Sequence, residues 1–370
     1  MDEIIIIVAG DFCPICVYSE IIIRLFQNDL FIANLECPLT FHNNQIQKIG
    51  PHLKALPQSV EIMKALGINL VTLANNHILD YDSGGLKETI QVLKDHGIDF
   101  IGAGMNLKEA RRIYYKEIKG KRIAIINACE REFSIAGEDR PGANPLDLIS
   151  ILKDLRTAKQ KANYVILIIH GGLENTHYPS PGSVRLLRFF AEEGATAIIR
   201  HHPHWVQGME IRNGCPIFYS VGNFVVPWAD PEKRPEQSEG ILAVLHLKDD
   251  GTCEPEVVPF IQSKGGRSIY FYKGTEKERF MERFQEWSAA LADPARLKRE
   301  WEKEVSMRKA QYLANLVMPN TFSLKVARRL GILHWFKPRK RTRLVIENYI
   351  KCEAHREMMI DVLSEGRLGK

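Results

Sequence analysis

The chain has 370 residues, 45% hydrophobic and 26% charged, with a formal net charge of +5. That is the make-up of a globular protein able to bury a sizeable core without disulfide staples, as one large domain with an appendage or as two ordinary domains. No run approaches the roughly 18–20 apolar residues of a membrane span, and the opening Met1-Asp2-Glu3 lacks the basic region of a secretory signal. A cytoplasmic protein is therefore expected, with peripheral membrane contact as the one variation.

The first residues, Ile4 to Ala9, form an apolar run that reads as a buried strand. Further strand candidates follow at Leu30–Asn34, Leu70–Ala74, Phe100–Gly102, Arg122–Ala128, Val165–Ile169, Ala197–Ile199, Ile217–Ser220, Ile241–Leu247 and Glu256–Phe260. Between several of them lie helical patterns, roughly at 58–66, 84–96, 107–112, 147–161 and 183–193. Such alternation predicts an α/β domain of stacked sheet and helix layers over residues 1–262. Beyond it the texture changes to Glu, Lys, Arg, Ala and aromatics, which predicts a basic, mainly helical extension over 263–370. There, 275–313 reads as amphipathic helix, Phe336 to Arg343 as a basic turn, and 344–364 as a final helix. Residues 1–263 carry 26 Lys+Arg against 32 Asp+Glu, a net of −6, whereas Lys264 to Lys370 carry 24 against 13, a net of +11. That basic segment fits a solvated tail or a surface for acidic polymer, anionic lipid or nucleic acid. No nucleic-acid reading motif accompanies it, so nucleic acid is not an expected partner.

Seven cysteines, at 13, 16, 37, 129, 215, 253 and 352, are scattered and odd in number, as suits reduced thiols. Cys13-Pro-Ile-Cys16 is a lone CxxC without the second pair that a zinc knuckle needs.

Chemistry-bearing residues collect just past the strand candidates, where α/β folds gather ligand groups. Asp11 follows the first strand, Glu36 the second and Asn75-Asn76-His77 the third; His170 ends a later apolar run, and His201-His202-Pro203-His204 follows another. Imidazoles and carboxylates converging in this way suit a hydrolytic metal centre. An asparagine oxygen can join them, and a neighbouring histidine such as His77 can protonate a leaving group. Glycines at 171 and 172 allow a ligand to approach the backbone closely. The alternatives are a helix-capping Asn76, turn-forming Asp11 and Glu36, and a core-satisfied His170.

Six motifs occur in order: Ala9-Gly-Asp11, Asn34-Leu-Glu36-Cys-Pro-Leu39, Ala74-Asn-Asn-His77, His170-Gly-Gly-Leu-Glu174, His201-His-Pro-His-Trp-Val-Gln207 and Tyr219-Ser-Val-Gly-Asn-Phe224. Together, over residues 4–262, they resemble the bacterial poly-γ-glutamate capsule-synthesis (CapA-like) family, which looks related to the calcineurin-like metallophosphoesterases. The resemblance implies a metallophosphatase-like four-layer α/β/β/α sandwich holding one or two divalent ions, Mn, Fe or Zn. It implies metal ligands at Asp11, Glu36 (the bridging carboxylate), Asn76, His170, His202 and His204. It makes His77 the acid near the leaving group, with Glu174 and the Ser220–Phe224 loop either supporting the ligands from behind or facing the substrate. Two departures stand out. Cys13 occupies the place of a usual histidine ligand, and Arg200 replaces the glycine before the paired histidines, where it could grip an anion or form an ion pair.

The expected function is a metal-dependent hydrolase acting on a phosphoester or related anionic group, in small-molecule or polymer form, in capsule or exopolymer metabolism. The alternative is a non-hydrolytic component of poly-γ-glutamate or capsule synthesis, working with other assembly proteins, or an acidic-polymer-binding protein. No GxxxxGK[ST] nucleotide loop is present to power a ligase.

Overall fold

The opening apolar run forms strand β1 (Ile4–Phe12), buried at every residue but Ile5, in a computed structural model that describes residues 3–14, 27–48, 50–317 and 322–332. Cys16, the basic turn at 336–343 and the expected helix over 344–364 lie outside the described residues. The chain continues with β2 (Leu30–Leu35), α1 (Val60–Leu66), β3 (Leu70–Thr72), α2 (Asp82–Asp95) and β4 (Asp99–Ile101). These four strands pair in parallel, each beside the next. They are nearly all apolar because they are covered on both faces.

The chain then runs through β5 (Ala103–Gly104), α3 (Leu107–Ala110), β6 (Tyr114–Ile118), β7 (Lys121–Cys129), β8 (Gly142–Ala143), α4 (Leu148–Lys159), β9 (Tyr164–His170), α5 (Pro181–Glu192), β10 (Ala197–His201), β11 (Met209–Arg212) and β12 (Cys215–Phe218). Six of these build a second sheet in the order β11-β12-β10-β9-β7-β6, while β5 and β8 pair separately. Its helices are signalled locally. Asp147 caps α4 by accepting from Ser150 N, and Ser180 caps α5 with Pro181 in its first turn.

The chain finally returns to the first sheet. There β13 (Asn223–Val225) pairs with the tip of β1, and α6 (Pro235–Ser238) leads to β14 (Glu239–Leu247), β15 (Cys253–Gln262) and β16 (Ile269–Phe271). The last three extend that sheet antiparallel from β1. Three helices end the described chain: α7 (Gly274–Ala292), α8 (Pro294–Val317) and α9 (Phe322–Arg329).

Side-chain alternation sorts the core into three seams. Ile4, Ile6 and Val8 of β1 meet Ile123, Ile125, Ile166, Ile168 and Ile199 of the second sheet, forming the seam between sheets. Ile7 and Ala9 face the other way, against Ile62 and Met63 of α1 and Leu86 and Leu93 of α2. Leu167 and Ile198 face Leu155 of α4 and Leu187 and Phe190 of α5. The result is the four-layer α/β/β/α sandwich.

The expected boundary at residue 262 does not match the packing. Strand β16 still pairs with β15, and Phe280, Phe284 and Trp287 of α7 are buried in the seam between sheets. The chain divides instead into units Met1–Lys298 and Arg299–Lys370. Of the second unit, the part of α8 beyond Lys298 and α9 are the described elements, and Lys325, Arg328 and Arg329 on α9 are exposed. Among the described residues no helix is long and apolar enough to cross a membrane.

Candidate metal centre

The tips of β1, β2, β9 and β10 and the loop after β3 bring the predicted ligands together. The β1–β2 ladder slips between Val8 and Asp11, a bulge that re-aims the strand end. Gly10 permits this, since a Cβ there would lie 1.9 Å from the Gly222 carbonyl oxygen. Asp11 N, one residue on, donates to that same carbonyl. Asp11 is fully buried, accepting from Asn34 Nδ2 at 2.7 Å and from the backbone N–H of His202 at 3.3 Å. His201 fastens the two sheets at this edge through Nε2, which donates to the Ala9 carbonyl at 3.0 Å. The next two histidines sit in left-handed backbone, with φ of 93° at His202 and 60° at His204. Such conformations cost a non-glycine residue on the order of 1–3 kcal/mol each and gather at functional sites.

Two convergent groups result. Asp11, Glu36 and His204 each offer a ligand atom within 4.8 Å of the others, and so do Glu174, His202 and His204. Asn223 sets the His204 ring. Its Nδ2 donates to the Gln237 carbonyl, so its oxygen faces His204 Nδ1 at 3.0 Å. That leaves His204 Nε2, 3.8 Å from Glu36 Oε1, as the nitrogen able to bind a cation. On the other side, His170 Nε2 lies 3.1 Å from both Asn76 Oδ1 and His202 Nδ1. Donors sharing one ion, with bonds of about 2.0–2.2 Å, are separated by roughly 3–3.5 Å, so His170 Nε2 has that spacing to each of the other two atoms.

Glu36 is the most informative residue. It is fully buried, and neither carboxylate oxygen has a hydrogen-bond partner among the described residues. Burial, and then the nearby Asp11, push its carboxyl well above the ordinary range. An ionised carboxylate in this position costs several kcal/mol unless a cation meets it. The opposite tendencies of its neighbours fit the same demand. Burial opposes protonation of His204, yet Glu36 and Asp11 pull its pKa up, whereas burial and neighbouring imidazoles keep His170 and His202 low. Three neutralisable nitrogens, one amide oxygen and two or three carboxylates form a mixed N/O donor set that fits a divalent ion.

His77 is held from behind. Its Nδ1 lies 2.7 Å from Asp80 Oδ2 and 3.0 Å from Lys48 Nζ, and Lys48 pairs with Asp80 in turn. Glu174 is half exposed, with Oε1 3.8 Å from His202 Nε2. Arg200 corrects the expectation of an anion grip. By alternation it shares the face of Ile198, away from the seam between sheets. Its guanidinium donates to the Gly171 carbonyl at 2.5 Å and to Glu130 Oε1 at 3.0 Å, so it forms the ion pair. Cys13 packs in the outer seam with its thiol against Cys37, and burial, then Cys37, raise its pKa well above the ordinary thiol value. Asn34, Asn223, Asp80 and Glu132 are residues whose contacts to the centre residue-type reasoning left unassigned, although the first two lie inside the motifs.

Comparison with known proteins places this geometry in context. The family described as "Bacterial capsule synthesis protein PGA_cap" matches residues 17–227. The "Capsule biosynthesis protein CapA" of Bacillus anthracis is 31% identical over 258 residues, covering 67% of this chain and 62% of that protein. The "PGA biosynthesis protein CapA" of Bacillus subtilis (strain 168) is 32% identical over 247 residues, covering 65% and 63%. The chain thus spans under two thirds of the length of these relatives. Among solved structures, a phosphatase of Mycoplasma pneumoniae aligns over 71% of this chain and 95% of its own, at 17% identity and a TM-score of 0.46. That likeness is too loose to carry argument.

Proposed function

Because this chain belongs to the bacterial capsule synthesis protein PGA_cap family, we propose that its strand-end cluster is a divalent-metal centre. We read the protein as a metal-dependent hydrolase of a phosphoester or related anionic group in capsule or exopolymer metabolism. The observation that carries the reading is Glu36, a buried carboxylate with neither oxygen partnered among the described residues, facing His204 and beside Asp11. Asp11, Glu36 and His204 would hold one ion, and Asn76, His170 and His202 a second, with Mn, Fe or Zn all compatible with the ligand types. When bound, such ions polarise a substrate oxygen and generate hydroxide at neutral pH.

The chain's own residues supply the rest. Asp11 is anchored by Asn34 Nδ2 and by His202 N, so the two sides of the centre are held in one register. Asp80, paired with Lys48, fixes the His77 ring through Nδ1. That leaves Nε2 as the atom that hands a proton to the leaving oxygen. The seam residues around Glu36 keep bulk water away, which strengthens every charge interaction there.

A second reading, a non-hydrolytic part in polymer assembly, draws on Cys13. A thiol packed against Cys37 stands where the resemblance expects a histidine ligand, which fits a centre holding one ion. The relatives are named for capsule and PGA biosynthesis, not hydrolysis.

The test is elemental analysis of the purified protein together with hydrolysis of an aryl phosphodiester and monoester in added Mn²⁺. Both are repeated on the His202→Ala/His204→Ala variant. Bound metal and turnover, both lost in the variant, are expected. Metal without turnover on any ester would favour the assembly reading, and absence of metal under all ions would sink the centre itself.

A further inference from the structure

Asn76 can serve a cation only through its side-chain oxygen, because its amide nitrogen donates hydrogens and offers no lone pair. The two ends of the amide are nearly the same shape, so its orientation is set by its partners. The deciding partner comes from the loop after β7. Asn76 Nδ2 donates to Glu132 Oε2 at 2.7 Å. An ionised carboxylate only accepts, so Glu132 can pair with the NH₂ end alone. The oxygen is thereby turned to His170 Nε2, 3.1 Å away, with His202 Nδ1 equally near that nitrogen. The same loop holds the Asn76 backbone: Ser134 Oγ donates to its carbonyl at 2.8 Å and accepts from Leu79 N at 3.2 Å. The loop is itself moored, since Glu130 N donates to the His170 carbonyl and Glu130 Oε1 accepts from Arg200. Arg200, excluded above as an anion grip, thus belongs to the structure that sets Asn76.

We propose that Glu132 is a positioning residue of the centre, holding the Asn76 amide oxygen toward the imidazoles of His170 and His202. This rests on the metal reading above. Its rival is plain charge. Any carboxylate at the rim of a cation site attracts the cation, whether or not it touches Asn76. The two differ in what a glutamine does at 132, because glutamine keeps an accepting oxygen and loses the charge.

The experiment measures Mn²⁺ affinity of the purified full chain by isothermal titration calorimetry. The variants are Glu132→Ala, Glu132→Gln, Asn76→Ala and the Glu132→Ala/Asn76→Ala pair. Positioning predicts that Glu132→Ala weakens Mn²⁺ binding about 10–100-fold, the usual cost of losing a group that orients a ligand. Glu132→Gln stays within a few-fold of the parent, and the double variant binds no more weakly than Asn76→Ala alone. Glu132 is exposed, so unchanged melting temperatures are expected and serve as the folding control. Equal losses for alanine and glutamine, or losses that multiply in the double variant, would overturn the proposal and leave only charge. An unaltered affinity in Glu132→Ala would overturn it as well. If the parent chain takes up neither Mn²⁺ nor, in the same titration, Fe²⁺ or Zn²⁺, the metal reading fails and this inference goes with it. That outcome is distinct from the other three, in which the parent binds.

Discussion

At the residue scale, Glu36 sets stability against function. With no cation, the fold buries a carboxylate that has no hydrogen-bond partner among the described residues, and desolvating it works against folding. Glu36→Gln removes the ionisable charge at nearly constant volume. In EDTA the variant should therefore be as stable as the parent or more so, by about 1 kcal/mol, because glutamine still buries polar atoms. In Mn²⁺ the order should reverse. A ligand at 100 times its Kd adds about 2.7 kcal/mol to the state that binds it, and the variant should lose most of that gain. Paired thermal melts with EDTA and with Mn²⁺ read both signs. A variant less stable in EDTA yet equally stabilised by Mn²⁺ would show that Glu36 is a structural residue and no ligand. The residues that read out well from sequence are those whose position past an apolar strand already implied convergence: Asp11, Glu36, His170 and the 202–204 pair. Glu132 and Asp80 were not legible in that way, and Asn223 only as part of the Ser220–Phe224 loop. Glu132 and Asn223 act by hydrogen-bonding a ligand from another part of the chain, Glu132 reaching Asn76 across 56 positions, and local spacing encodes no such pairing. Asp80 lies just past His77 and hydrogen-bonds its ring, a local pair that position past a strand does not single out. Arg200 shows the converse. Its place beside the histidines suggested a shared task, but strand alternation turns neighbouring side chains to opposite faces.

At the scale of elements, the central strands were legible because burial on both faces makes them continuous apolar runs, as in β1 and β9. The edges were harder. The β6–β7 and β11–β12 hairpins turn through Lys119-Gly120 and Asn213-Gly214, all four in left-handed backbone. The second turn is an Asn-Gly pair, a hairpin signal carried by the sequence itself. Strand β13 has no such signal. It is three residues long and exists because the 222–225 segment lies against the tip of β1. That contact makes a prediction about Gly10. A Cβ there would stand 1.9 Å from the Gly222 carbonyl oxygen and 3.3 Å from the Asn223 carbonyl carbon. Both are backbone atoms that no rotamer change can move aside. Gly10→Ala should cost about 1–3 kcal/mol, the range for forcing a methyl into packed surroundings, read as a lowered urea midpoint. Because β13 carries Asn223, the partner of His204 Nδ1, the same variant should also weaken Mn²⁺ binding. Gly10→Ala with both parent stability and parent affinity would refute the close approach.

At the scale of the whole chain, the composition break near residue 263 misplaced the end of the sandwich, and the reason is physical. Helix α7 is polar on most of its surface, with charged residues at 276–279, 282, 283 and 286, and composition averages over that surface. What matters for folding is the single stripe Phe280, Phe284 and Trp287, spaced at three and four residues and buried in the seam between sheets. Glu239 on β14 adds a fixed point, accepting a bidentate pair from Arg283 and a hydroxyl from Tyr272. His177 stacks on Trp287 with ring centroids 4.1 Å apart, which ties the segment before α5 to the same helix. A chain ended after Gln262 would expose the apolar surface these groups cover, and it should be insoluble or molten. A chain ended after Lys298 keeps every one of these contacts and should melt as one cooperative unit and still bind Mn²⁺. Trp287→Ala in the full chain isolates the cause, with an expected loss of about 3–5 kcal/mol for a buried tryptophan, measured by chemical denaturation. If the chain ended at 262 folded with the parent's cooperativity and metal affinity, α7 would be an accessory to the sandwich, and the compositional boundary would be the physical one after all.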